Sequence, residues 1–213
     1  MTKIKHVCSL GFNCHASQML KDNNLKLESY PFDWIMSNLD VVKKCLQDDF
    51  KTFLDKDAYV DLGLTKRCGH KIYCDNMFVH HNPLHNNSDY DYFNRCVNRF
   101  RKLLSSNDDK LFIISIIDGE HGIGNKISES FIKELEELSN ILNKSTVNSN
   151  LLVIVNYPNK KTQKKVVKTI KNLTILEIDT LSSNTGTQYI KEDDNKFLIK
   201  IINKLYKFKP VKI

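Results

Sequence analysis

The sequence predicts an α/β protein, a three-layer sandwich with a mainly parallel central sheet flanked by helices. Three observations carry that prediction. LFIISII (111–117), LLVIV (151–155) and LTILEI (173–178) are short apolar, β-branched runs without alternation, the pattern of strands covered on both faces. Helical apolar stripes lie between them, and strands alternating with helices build parallel sheets. The chain has 213 residues, 41% hydrophobic and 27% charged, with only 7 Gly and 4 Pro. That composition excludes disorder, collagen and low complexity, and a chain of this size buries roughly 70–75% of its unfolded surface in one large core. A single domain spanning 1–213 is expected, with no repeat or linker.

In chain order, IKHVCSL (4–10) reads as the first strand and a helix follows at 14–22. Leu39, Val42, Leu46, Phe50 and Phe53 form a helical stripe over 38–54, and segment 55–75 is the least regular. NMFVH (76–80) is a further strand. A helix over 89–104 carries Phe93, Val97, Phe100 and Leu104 on one side. After the 111–117 strand, Ser128 is placed to cap a helix over 128–143 with Phe131, Leu135, Leu138 and Leu142 as its stripe,. The lysine-rich segment 160–171 repeats Val166, Val167 and Ile170, which predicts a solvated helix over 162–171,. A last helix, 194–208, has Phe197, Leu198, Ile201, Leu205 and Phe208 on one face.

Charge and cysteine usage bound the partners. Net charge is +7, carried almost wholly by lysine, since Arg67, Arg95, Arg99 and Arg101 are the only arginines. Base-reading proteins lean on arginine forks, so the balance argues against nucleic acid. No apolar run approaches the ~18 residues of a membrane span, and the amino terminus lacks a signal-peptide pattern,. Six cysteines (8, 14, 45, 68, 74, 96) include no CxxC pair, so free thiols in a reducing compartment, the cytoplasm, are the expectation. GIG at 122–124 does not make GxGxxG, and no cofactor is implied,.

Ligands of open α/β sheets gather beyond the carboxyl ends of the strands. The first such turn reads Ser9-Leu10-Gly11-Phe12-Asn13-Cys14-His15. Cys14 falls at a helix amino terminus, where unpaired N–H groups and the macrodipole favour a thiolate. The same N–H groups, with the Asn13 amide, could hold an oxyanion. A small packing cysteine is the plainer reading.

SLGFNC (9–14), then SYPFDWI (29–35), FVHHN (78–82) and Tyr92, Arg95, Arg99, Phe100 in a YxxRxxxRF pattern, resemble a family of papain-like cysteine peptidases of unknown function, seen in bacteria and large DNA viruses. The blocks cover about the first half of the chain, in the family's order. For a viral member the compartment would be the host cytoplasm. The resemblance implies Cys14 as nucleophile, a histidine in the FxHH block as base, and an acidic or amide partner. The family often has Asp where this chain has Asn82, and the α/β pattern is not a papain-type fold.

His81 is the preferred base, being next to the Asn82 position, with His80 in reserve; adjacent side chains on a strand face opposite ways. Asn82 or Asp33 could orient the ring. Asp33 could equally cap local structure. Trp34 is a core anchor or a stacking platform. Tyr92, Arg95 and Arg99 share a helix face, which suits a carboxylate or phosphate, or ion pairs with Asp33, Asp89 or Asp91. Gly11 completes the substrate-binding set. Asp118 and His121, a DxxH after the 111–117 strand, resemble the Asp and His block of serine-type α/β hydrolases and are a reserve acid and base. Cys68, His70 and Cys74 offer zinc a C-x-H-x3-C pattern that matches no standard finger,, so no metal is assigned.

The function expected is therefore a cysteine-nucleophile hydrolase acting on a peptide, ester or other acyl bond. The alternative is a non-catalytic α/β module that binds an anionic or glycan ligand at the first strand-helix turn, with Asn13, Arg95 and Arg99 as its contacts.

Overall fold

A computed structural model describes residues 3–117 and 127–209. Five strands form the main sheet in the order β1-β5-β6-β8-β7: β1 (His6–Ser9), β5 (Lys110–Ile116), β6 (Ser149–Tyr157), β8 (Leu173–Asp179) and β7 (Lys164–Ile170). The first four are parallel, in registers such as Val7↔Leu111, Ile113↔Leu152 and Ile154↔Leu176. β7 closes the far edge antiparallel to β8. A second, three-stranded antiparallel sheet holds β2 (Tyr59–Asp61), β3 (Cys68–His70) and β4 (Cys74–Phe78).

Alternation along the buried strands sends side chains into two cores. On one face Cys8, Phe112, Ile114, Val153, Val155 and Ile175 pack with residues of α2 (Leu39–Gln47), α3 (Asn87–Ser105) and α4 (Glu129–Ser145). On the other, Val7, Leu111, Ile113, Ile154 and Leu176 pack with α1 (His15–Asp22) and α5 (Glu192–Leu205). The result is the expected sandwich, helices on both faces of a mostly parallel sheet. Phe32, Phe50, Phe53, Phe93 and Phe100, all at most 1% exposed, meet in a cluster of edge and tilted contacts in the first core. Ser128 caps α4 by accepting from the Phe131 N–H.

Two expected elements are corrected. Residues 164–170 are strand, not helix: β-branched Val166, Val167, Thr169 and Ile170 pair with β8 through a two-residue hairpin loop, Lys171 taking φ 54°,. Val166 and Val167 are 61% and 37% exposed, so the apolar repeat buries no helix face. The 38–54 helix stops at Gln47, because Asp49 and Phe50 adopt φ of 53° and 61° and swing Phe50 and Phe53 into the core.

Candidate active site at the first strand-helix turn

The chain leaves β1 through two consecutive left-handed residues, Gly11 at φ 87° and Phe12 at φ 75°. A non-glycine residue at such a φ is sparsely populated and is held there by its surroundings. Here the holder is Ser37, whose Oγ accepts from the Phe12 N–H at 2.9 Å and donates toward the Leu10 carbonyl at 3.5 Å. Gly11 is required twice over, by its φ and because a Cβ would stand 2.3 Å from Ser37 Oγ,. Phe12 repays its strain in part by complete burial, at 1% exposure.

Cys14 emerges from this turn as the residue preceding α1. Asn13 accepts from the His15 N–H at 3.0 Å and donates from Nδ2 to the Ser115 carbonyl at 3.1 Å. Its amide thereby fastens α1 to the end of β5. The Ser115 hydroxyl lies 2.7 Å from His15 Nδ1, so one residue of β5 grips the start of α1 through both its carbonyl and its side chain. Burial drives the His15 pKa down to about 4,.

The histidine beside Cys14 is His80: its Nε2 lies 3.5 Å from Sγ. His81 points elsewhere, with Nδ1 3.7 Å from Asp89 and its ring against Tyr92 and Phe93. Burial, and then the charge of Asp33, push the Cys14 thiol up to about 11. That direction runs against a helix-stabilised thiolate, and its largest cause is the loss of water at the side chain,.

Asp33 is 1% exposed and takes the ammonium of Lys26 as its partner, while its Oδ2 also accepts from the Tyr30 N–H at 2.7 Å. Lys26 donates in addition to Ser17 Oγ, one turn of α1 beyond Cys14, and lies over the Trp34 ring at 5.0 Å. Lys26, Ser17, Ser37 and Ser115 belong to no motif in the sequence; α1 and β5 place Ser17 and Ser115 here, and the loops place Lys26 and Ser37. Among the described residues Asp33 contacts no histidine ring. Asn82 likewise staples its own loop, accepting from the His85 N–H and donating to the Leu64 carbonyl.

Arg95 is exposed, and Arg99 donates to the Ser29 carbonyl at 3.5 Å. Neither forms an ion pair among the described residues: Asp33 is held by Lys26, and Asp89 by the Asn82 N–H and His81. The Tyr92 ring lies tilted against that of His81, with centroids 4.7 Å apart. In the cysteine-rich segment, Cys68 is buried, and His70 stacks on Tyr73 with its Nε2 3.0 Å from the Thr52 carbonyl. No group of three or more potential metal ligands occurs among the described residues. Asp118 and His121 lie outside the described residues.

A family model described as "Putative papain-like cysteine peptidase" matches residues 5–157. The strand-turn-helix entry, strands β1, β5 and β6 of the main sheet and the blocks around Cys14, Trp34 and His80 all fall within that match, and the chain belongs to this family. No curated protein and no solved structure matches the chain. No helix among the described residues is long and apolar enough to cross a membrane.

Proposed function

We propose that the chain is a cysteine-dependent hydrolase of acyl bonds, with peptides as substrates, in which Cys14 is the nucleophile and His80 the general base. The observation that carries this reading is the 3.5 Å approach of His80 Nε2 to Cys14 Sγ at a strained turn opening into a helix. Family membership supports peptide as the substrate.

The raised thiol pKa specifies how such a site works. With the thiol protonated at rest, proton transfer from Sγ to His80 Nε2 accompanies attack of Sγ on the carbonyl carbon. First-turn N–H groups of α1 other than that of His15, which Asn13 holds, are the donors proposed for the oxyanion that forms. His80 then returns the proton to the leaving amine, giving a thioester on Cys14. Water, deprotonated by the same ring, hydrolyses the thioester to a carboxylic acid and restores the thiol. Asp33 supplies no hydrogen bond to the base; it is a positioning residue, holding Lys26 against α1.

The test is turnover of a quenched-fluorescent peptide library. Cys14→Ala is expected to abolish it and His80→Ala to lower it by about 10²–10⁴-fold, the usual worth of a general base, while His81→Ala retains most of it. Turnover that survives Cys14→Ala overturns the assignment. A second reading, a binding module at the same turn, is favoured by the burial of the thiol; saturable ligand binding with no turnover by wild-type protein would establish it instead.

A further inference from the structure

An open groove of about 830 Å³ runs beside α1, lined by Lys21, Lys26, Leu27, Glu28, Trp34 and Arg99 among others. We propose that this groove is the substrate channel of the Cys14 site and selects a peptide bearing one acidic side chain about three residues from the bond attacked. The proposal rests on the hydrolase reading and adds its substrate class.

Position comes first. Ser17 follows Cys14 by three residues on the same face of α1, and its Oγ accepts from Lys26, one of the groove's lining residues. Through Lys26 the groove's lining thus comes within a turn of α1 of Cys14, and it extends to Lys21, seven residues from Cys14 along the helix. Seven residues of helix span about 10 Å, which an extended peptide covers in about three residues.

Chemistry then narrows the occupant. Lys26 is neutralised by Asp33 and committed to Ser17 and the Trp34 ring. Arg99 is not committed in this way: among the described residues its one hydrogen bond goes to the Ser29 carbonyl, at 3.5 Å. A guanidinium has five donors in a planar fork suited to a carboxylate. Lys21 adds a second cation, and Glu28 on the exposed rim opposes a second acid. With Asp33 counted, the lining carries three cations and two anions, so one carboxylate balances it and an acidic run does not. Trp34, half-buried, and Leu27, 40% exposed, give apolar surface for neighbouring side chains, which a bare anion would leave unused.

Trp34 is the only tryptophan of the chain and reports binding directly. Cys14→Ala protein, which cannot turn substrate over, is titrated with two blocked hexapeptides, Ala-Leu-Glu-Leu-Ala-Ala and its Glu-to-Lys counterpart. The expected result is a saturable change in Trp34 emission with at least tenfold tighter binding of the Glu peptide. Arg99→Gln and, independently, the exposed Lys21→Gln should each shrink that ratio, and 0.5 M salt should weaken the Glu peptide alone. Equal affinities, preference for the Lys peptide, a ratio untouched by both substitutions, or no saturable change by fluorescence or ligand-observed NMR overturns the proposal. The two readings fail separately. A Glu preference in Cys14→Ala without turnover by wild-type protein leaves the groove standing and removes the hydrolase; turnover without Glu preference does the reverse.

Discussion

His15 follows Cys14 in sequence and faces the opposite way, into the core beside Tyr189, whose ring is 5.0 Å distant. Its folded pKa of about 4 lies below the ordinary 6.5 because burial disfavours the imidazolium. The unfolded chain therefore binds the extra proton between pH 6.5 and 4. Stability from this residue is fully present above pH 6.5 and is lost as pH falls toward 4, a change on the order of 3 kcal/mol. Urea midpoints measured from pH 7 to 4 should fall in wild-type protein, and His15→Gln should flatten that limb at the cost of a lower plateau. An unchanged limb would place the acid sensitivity elsewhere. Cys14 makes the converse case: with its thiol raised to about 11, native protein at pH 8 should alkylate at Cys14 far more slowly than at half-buried Cys74, and the difference should vanish in urea. Peptide mass spectrometry reads both rates, and a fast native Cys14 would show a thiolate already formed. Cys14 was legible in the sequence because strand, glycine and helix signals converge on it. The choice between His80 and His81 was not, since β4 ends at Phe78 and strand alternation has no hold on the two residues beyond it.

Among the elements, the strands that read most clearly were β5, β6 and β8, whose unbroken apolar runs suit no other environment in a chain of this composition. β7 was misread because its spacing of Val166, Val167 and Ile170 suits a helix locally, while its structure comes from a hairpin with β8 across the loop Lys171-Asn172, which carries no Gly to mark the turn,. Its exposed lysines do what charge on an edge strand does, discouraging further strand pairing. Lys110, at the start of β5, shows that a lysine can be wholly internal. It is 0% exposed, and its ammonium donates to the carbonyls of Ser106, Asp108 and Val147 at 2.8, 2.8 and 2.9 Å. One side chain thus ties the end of α3 to the α4–β6 connection at the mouth of the sheet. Lys110→Met would keep the stem's packing and leave three carbonyls without their donor. A loss of about 2–4 kcal/mol is expected from the unsatisfied groups, measured by urea denaturation; a loss below 0.5 kcal/mol would mean that water replaces the ammonium without cost.

Across the whole molecule, the family match stops at Tyr157, the last residue of β6, yet the sheet does not. β8 pairs with β6 at seven positions from Leu151↔Leu173 to Tyr157↔Asp179, and α5 supplies Leu198, Ile201 and Ile202 to the core that Val7, Leu111, Ile113 and α1 share. The segment after α5 returns to the start of the described chain, the Ile4 N–H donating to the Lys207 carbonyl at 2.8 Å and the Lys209 N–H to that of Ile4. A chain ended after Tyr157 would bare one edge of β6 and the part of one sheet face that α5 covers, and α1 would lose the wall against which His15 and Met19 pack. Because Cys14 is positioned by α1 and by the grip of Ser115 on it, the site depends on residues that the family match does not reach. We therefore propose that residues 3–209 fold as one cooperative unit. Full-length protein should unfold in urea with superimposable circular dichroism and Trp34 fluorescence transitions, the signature of a two-state domain. The 1–157 fragment should bind a hydrophobic dye, lack dispersed methyl resonances and show no histidine-dependent behaviour at Cys14. A fragment that unfolds cooperatively and keeps that behaviour would instead make the carboxyl-terminal β7–β8–α5 segment an addition to a self-sufficient catalytic half.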